Sequence, residues 1–206
     1  MKIHLLRILT VVSVLASSNL VHAQLSGTYT IDPNGSGANN YTSFTSAIAA
    51  LSSGVNGAVT FNVASGTYTE QIIVPSVTGA NASNTITFQA AAGNTSPVVL
   101  TSGAATSTAN YVVRMNAAKY VTFEGIAMQS SNALYGHVVE IVGSNTKIQF
   151  SDVEFSNSSA STASSNLSLI YDGSTAADRY DTLTFSGCTF GSTSNYLYYP
   201  LYLYGS

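Results

Sequence analysis

A single cysteine, Cys188, cannot close a disulfide within the chain, so stability outside a reducing compartment has to come from packing. Histidine is as scarce: past residue 23 only His137 remains. That excludes a metal site built on several histidines, and no metal or cofactor is expected. Basic side chains are few, with Arg114, Lys119, Lys147 and Arg179 facing nine acids beyond residue 23. A mildly acidic chain without a basic patch excludes nucleic acid and anionic membranes as partners. Long apolar runs are missing after Gln24, which excludes a membrane-spanning helix of roughly 20 residues in that part. Charged residues make up only 7% of the chain, yet 45% is hydrophobic and 10% aromatic, enough for a core rather than a disordered coil.

The first residues are of another kind. Lys2 and Arg7 precede an apolar stretch from Ile8 to Ala16, and Val21-His22-Ala23 follows with small residues at the cleavage positions. This is the pattern of a secretory signal peptide cut after Ala23. The apolar stretch is too short for an anchor, and the expected address is secreted, extracellular or at the outer cell surface, with no membrane insertion after cleavage. Residues 24–206 suit a single domain.

What is abundant repeats. An aliphatic residue, a spacer and a phenylalanine recur as Val59/Phe61, Ile86/Phe88, Val121/Phe123, Ile148/Phe150 and Leu183/Phe185, with phenylalanines separated by 27, 35, 27 and 35 residues. The spacers Thr60, Thr87, Thr122, Gln149 and Thr184 alternate polar with apolar at the period of a strand. The last three copies continue with Ile126, Val153 and Cys188, then Met128, Phe155 and Phe190. Cys188 therefore reads as a small buried apolar residue. Gly125, Asp152 and Gly187 share one offset, where the chain must turn.

A second strand set reads as Val112-Val113-Arg114-Met115, Val138-Val139-Glu140-Ile141 and Leu169-Ile170-Tyr171. Stacked coils of parallel strands about 4.8 Å apart satisfy both sets. The longer spacings place protruding loops at Thr101 to Asn110 and Ser156 to Ser165. Arg114 and Glu140 then fall on neighbouring coils, facing outward, where an exposed ion pair contributes about 0–1 kcal/mol. Tyr41, Phe44, Ile48 and Leu51 at helical spacing predict a short amphipathic helix closing the first coil. Leu201-Tyr202-Leu203-Tyr204-Gly205 reads as the first strand of a further coil, so the chain is expected to be a fragment with an uncapped C-terminal edge. The domain layout is a leader (1–23), an N-terminal strand with capping helix (24–57) and an incomplete stack of coils (58–206).

Gly66-Thr67-Tyr68-Thr69-Glu70, followed by Ile72-Ile73-Val74 and preceded by the helix and Val59-Thr60-Phe61, resembles the opening coil of the pectin-lyase-like superfamily. The stretch from Gly27-Thr28-Tyr29-Thr30-Ile31 to Thr85-Ile86-Thr87-Phe88-Gln89 is most similar to secreted surface proteins of Bacteroidetes-type bacteria. The resemblance implies an all-β fold, a right-handed parallel β-helix. The catalytic motifs of its enzymatic members do not carry over. Pectin methylesterase motifs are absent, and of the polygalacturonase set only Gly136-His137 appears.

Candidate site residues follow from these limits. Asp152 and Glu154 are the nearest approach to a catalytic carboxylate pair, and read more simply as solvated residues at a turn. Asp178, Arg179 and Asp181 read as a charged loop, and His137 as a partly exposed structural residue. Tyrosines Tyr196, Tyr198 and Tyr199, with Tyr202 and Tyr204, are the candidate binding residues, because aromatic faces stack on sugar rings. Two functions fit. One is a noncatalytic surface or adhesin-like module contacting polysaccharide or a cell-surface protein. The other is the start of a polysaccharide lyase or pectin esterase-like enzyme whose active site lies beyond Ser206.

Overall fold

The computed structural model describes residues 23–157, 165–175, 178, 181–192 and 201–203. They form a parallel β-solenoid of about five turns, each turn giving one strand to each of three sheets. Sheet A holds, in chain order, Leu25–Ile31, Asn40–Tyr41, Val55–Val63, Ile86–Ala90, Lys119–Glu124, Thr146–Ser151 and Asp181–Ser186. Sheet B holds Gly66–Thr69, Val98–Ser102, Ile126–Ser130, Glu154–Asn157 and Thr189–Ser192. Sheet C holds Ile72–Pro75, Val113–Asn116, Val139–Val142, Ile170–Asp172 and Leu201–Tyr202. No helix among the described residues is long and apolar enough to cross a membrane.

Parallel pairing sets each residue above its equivalent one turn away. The aliphatic column Val59, Ile86, Val121, Ile148 and Leu183 is in register, and so is the phenylalanine column beside it. Phe61, Phe88, Phe123 and Phe150 have no exposed surface. Their rings lie nearly parallel, with centroids 4.9 Å apart for Phe61 and Phe88, 5.0 Å for Phe88 and Phe123, 5.8 Å for Phe123 and Phe150, and 5.4 Å for Phe150 and Phe185. Phe155 and Phe190 repeat the arrangement in sheet B at 5.1 Å. Each such pair contributes about 0.5–1.5 kcal/mol beyond the area it buries. Cys188 packs half-buried against this core, and its thiol donates to the carbonyl of Phe150 at 3.4 Å.

The corners are built as regularly as the sheets. Gly125, Asp152 and Gly187 take φ of +65°, +52° and +64° between sheets A and B, a region open to glycine and tolerated by aspartate. At Gly187 a Cβ would stand 2.1 Å from Asp152 Oδ1, so a side chain there would have to push that exposed carboxylate aside. Between sheets C and A, buried Asn145 accepts from the Ala118 N–H at 2.8 Å and donates to the carbonyls of Val142 and Gly143 at 2.9 and 2.8 Å. One side chain thus satisfies three backbone groups that the corner strips from the ladders.

Sheet A starts two strands before the others, and helix α1 (Phe44–Ala50) fills the place this leaves above sheets B and C. Phe44 meets Tyr68 edge-on at 5.1 Å and lies 6.0 Å from Phe88. The expected helix is present, but Tyr41 is not on it. Ser43 is extended and caps the helix, its hydroxyl accepting from the Ser46 N–H at 3.0 Å, so Tyr41 falls in a strand and packs against Tyr29 and Phe61. The Glu70 carboxylate accepts from the N–H groups of Phe44 and Thr45 at 3.0 and 2.8 Å and from the Thr45 hydroxyl at 2.6 Å. An acid there satisfies free donors of the first turn and complements its dipole. The loops also start later than expected. Thr101-Ser102 and Ser156-Asn157 still belong to strands, because Ser102 and Asn157 turn inward and are buried.

Tyr68 fastens the cap to the first coils. It is 4% exposed, and its hydroxyl lies 3.0 and 2.9 Å from the carbonyl oxygens of Ile31 and Ala64. Burial first, then the charges of Asp32 and Glu70, push its phenol from 10.0 up to about 12. The fold therefore favours the neutral phenol. This stabilisation is complete below pH 10 and lost as pH rises towards 12. Urea unfolding at stepped pH is expected to show wild type losing stability faster than Tyr68→Phe over that window, while the variant is about 1 kcal/mol weaker at neutral pH. Parallel pH profiles would contradict the assignment.

Candidate functional site

The register that stacks phenylalanines inside stacks hydroxyls outside. On the outer face of sheet A, Thr28, Thr60, Thr87, Thr122, Gln149 and Thr184 form one row, each paired with the next. Two residues further along the strands, Thr30, Asn62, Gln89, Glu124, Ser151 and Ser186 form a second. Successive members stand about 4.8 Å apart along the solenoid. Gln89 Nε2 donates to Asn62 Oδ1 at 2.9 Å, linking neighbouring tiers within the second row. Glu124 is the one carboxylate in the two rows. The face is thus a rigid, nearly uncharged grid of hydroxyl and amide groups. Lys147 at its margin is held by the Thr182 hydroxyl at 2.8 Å and by Asp181 at 3.6 Å.

Sheet C presents a different column: Ile73, Arg114, Glu140, Tyr171 and Tyr202. Arg114 Nε donates to Glu140 Oε2, as the sequence predicts, but the pair is less exposed than expected, with side chains 23% and 13% accessible. The reason is Tyr111, whose ring covers the guanidinium with its centroid 4.1 Å away. Beyond Glu140, Tyr171 is sandwiched. His137 stacks on one side at 4.2 Å and Tyr202 on the other at 5.5 Å, both 15° from parallel. Burial, then the neighbouring Tyr202, Glu140 and Asp172, keep its phenol above the usual tyrosine range. Its two faces are spent within the protein, so the ring offers no platform for a sugar.

The remaining candidates divide. Tyr196, Tyr198, Tyr199 and Tyr204 lie outside the described residues, as does Arg179. His137 is not partly exposed but 4% exposed. The longer coil before it supplies Asn110, whose Oδ1 accepts the His137 N–H at 3.0 Å, and Tyr171 closes over the ring. Asp152 and Glu154 are both exposed, at a turn and at the start of a sheet B strand. Asp178 folds back on the Thr175 N–H and hydroxyl at 2.8 and 3.0 Å, whereas Asp181 goes to Lys147 on the tier before. Among the described residues no three of His, Cys, Asp and Glu come together as metal ligands.

The strand Leu25–Ile31 heads both rows, and its place in sheet A was not anticipated. It carries Tyr29 over Phe61 at 5.7 Å, and its Thr28-Tyr29-Thr30-Ile31 has the same alternation as Thr60-Phe61-Asn62-Val63. The signal was obscured because Gly27 stands where the other tiers have an aliphatic residue. No protein-family model, curated protein or solved structure matches the chain.

A double-mutant cycle on Arg114→Ala and Glu140→Ala is expected to give a coupling of about 1 kcal/mol, the upper end for partly exposed pairs. The ring of Tyr111 should preserve most of it at high salt. A coupling that vanishes with salt would mean that the pair is solvated.

Proposed function

We propose that the protein is a noncatalytic, extracellular β-helix module that holds a neutral polysaccharide along the outer face of sheet A. The observation that carries this reading is the pair of in-register rows from Thr28 and Thr30 to Thr184 and Ser186. Sugar hydroxyls both donate and accept, and they are matched by threonine and serine hydroxyls and by side-chain amides. A polymer repeats along its length, and so does a solenoid. Each contact is weak, and repetition adds them without new ordering cost in a frame already rigid. The excess of nine acids over four bases beyond residue 23 disfavours an acidic polymer.

The address rests on the leader pattern, with cleavage after Ala23. The similarity of the Gly66 to Glu70 coil to pectin-lyase-like proteins, and of the longer stretch to Bacteroidetes-type surface proteins, agrees with a role at a cell surface.

Retention of the purified protein on insoluble cellulose, xylan and mannan, with polygalacturonate as the acidic control, tests the proposal. Binding to a neutral polymer is expected, with no release of soluble sugar. Replacing Thr60, Thr87 and Thr122 together by alanine removes three contacts of about 0.5–1.5 kcal/mol each, and affinity should fall at least about tenfold. Unchanged retention by the triple variant, or soluble products, would overturn it.

A further inference from the structure

Both rows end at a groove. Thr28, Tyr29 and Thr30 form its floor and residues Ser36, Gly37, Ala38, Asn39 and Asn40 its wall, around an open hollow of about 330 Å³. We infer that this groove is a subsite for one sugar residue of the neutral chain, an inference that takes its ligand class from the reading of sheet A.

The wall is preformed. Asp32 Oδ1 accepts the Asn34 N–H at 2.9 Å, and the Gly35 N–H reaches the Asp32 carbonyl at 3.0 Å. Asn40 clamps the other end, its Oδ1 accepting the Thr30 hydroxyl at 2.6 Å and its Nδ2 donating to the Asp32 carbonyl at 3.0 Å. Gly35 lies against that clamp, where a Cβ would stand 2.6 Å from Asn40 Oδ1, and Gly37 takes a φ of +100° that favours glycine. A ligand entering this loop has little to order.

The groove also keeps polar groups in reserve. Among the described residues, the Thr28 and Ser36 hydroxyls and the Asn39 amide make no hydrogen bond within the protein, and all three residues are exposed. The second strand of sheet A pairs only with Thr30 and Ile31, so the backbone edge at Thr28 is open beside them. Tyr29 lines the groove half-buried, its hydroxyl held by the Ser26 carbonyl at 3.2 Å. An aromatic edge, two hydroxyls and an amide without any charged lining group are the requirements of a neutral sugar ring. The volume is at the small end of ligand sites, about 300–1,000 Å³, and admits one such ring rather than a long oligomer.

The experiment is amide NMR with cellohexaose, xylohexaose and mannohexaose, run beside polymer retention. Shifts at Thr28, Ser36 and Asn39 with at least one hexasaccharide support the subsite. Ala38→Trp, which fills the groove from an exposed position, should then weaken that hexasaccharide about tenfold or more. Asn39→Ala should weaken it about three- to tenfold, and both variants should melt as wild type. Polymer retention without hexasaccharide shifts in the groove overturns the groove alone. Groove shifts without polymer retention overturn the face alone. Full hexasaccharide affinity in Ala38→Trp overturns the subsite.

Discussion

Parallel pairing in strict register is the constraint from which the rest of the molecule follows. When residue i of one turn must lie over its equivalent in the next, every choice of side chain is repeated as a column. An inward column of phenylalanine is favourable because parallel rings at 4.9 to 5.8 Å exclude water along the whole axis. An inward column of polar groups would be costly, and Ser102, Ser130 and Asn157 form one only at the last residues of the sheet B strands, next to the corners. There Asn145 answers the backbone of one corner, while Asn110 and Asn157 bond to the segments around Asn166 and Leu167. With no disulfide in the chain, these columns carry the stability.

The same constraint makes the outside a lattice. Threonine suits a strand through its β-branch, and on sheet A it recurs at one position in five of six tiers. The chemistry of that face comes from repetition, not from any one residue. On sheet C the column is instead consumed internally: the arginine by its glutamate and tyrosine, Tyr171 by its neighbours on either side. Two faces of one solenoid thus have opposite fates because one column bears groups that pair with each other and the other bears groups that mostly do not.

How much of this was legible in the sequence depends on whether a residue belongs to a column. Phe61 to Phe185 could be placed because their spacing alternates by tier, and Arg114 could be matched with Glu140 once the coils were aligned. The turn positions Gly125, Asp152 and Gly187 followed from the same alignment. Tyr41 could not be placed, because helical spacing continues back through it and only the extended Ser43 shows where the helix starts. The burial of His137 depends on Asn110 and Tyr171, 27 and 34 residues away, in coils of unequal length. The row of threonines on sheet A was legible from the spacers between the aliphatic and aromatic columns, but its reading as the proposed binding face was not, because the aromatic side chains drew attention to Tyr196, Tyr198 and Tyr199 instead. The groove was not legible either, since it is made by a loop with no repeat.

The central claim is that neighbouring tiers are coupled through the ring column and distant ones are not. Double-mutant cycles by urea unfolding on Phe88→Ala with Phe123→Ala, and on Phe88→Ala with Phe185→Ala, measure this directly. The account predicts a coupling of about 0.5–1.5 kcal/mol for the adjacent pair and additive effects, within about 0.3–0.5 kcal/mol, for the pair three tiers apart. Additivity in both pairs, or equal coupling in both, would contradict it.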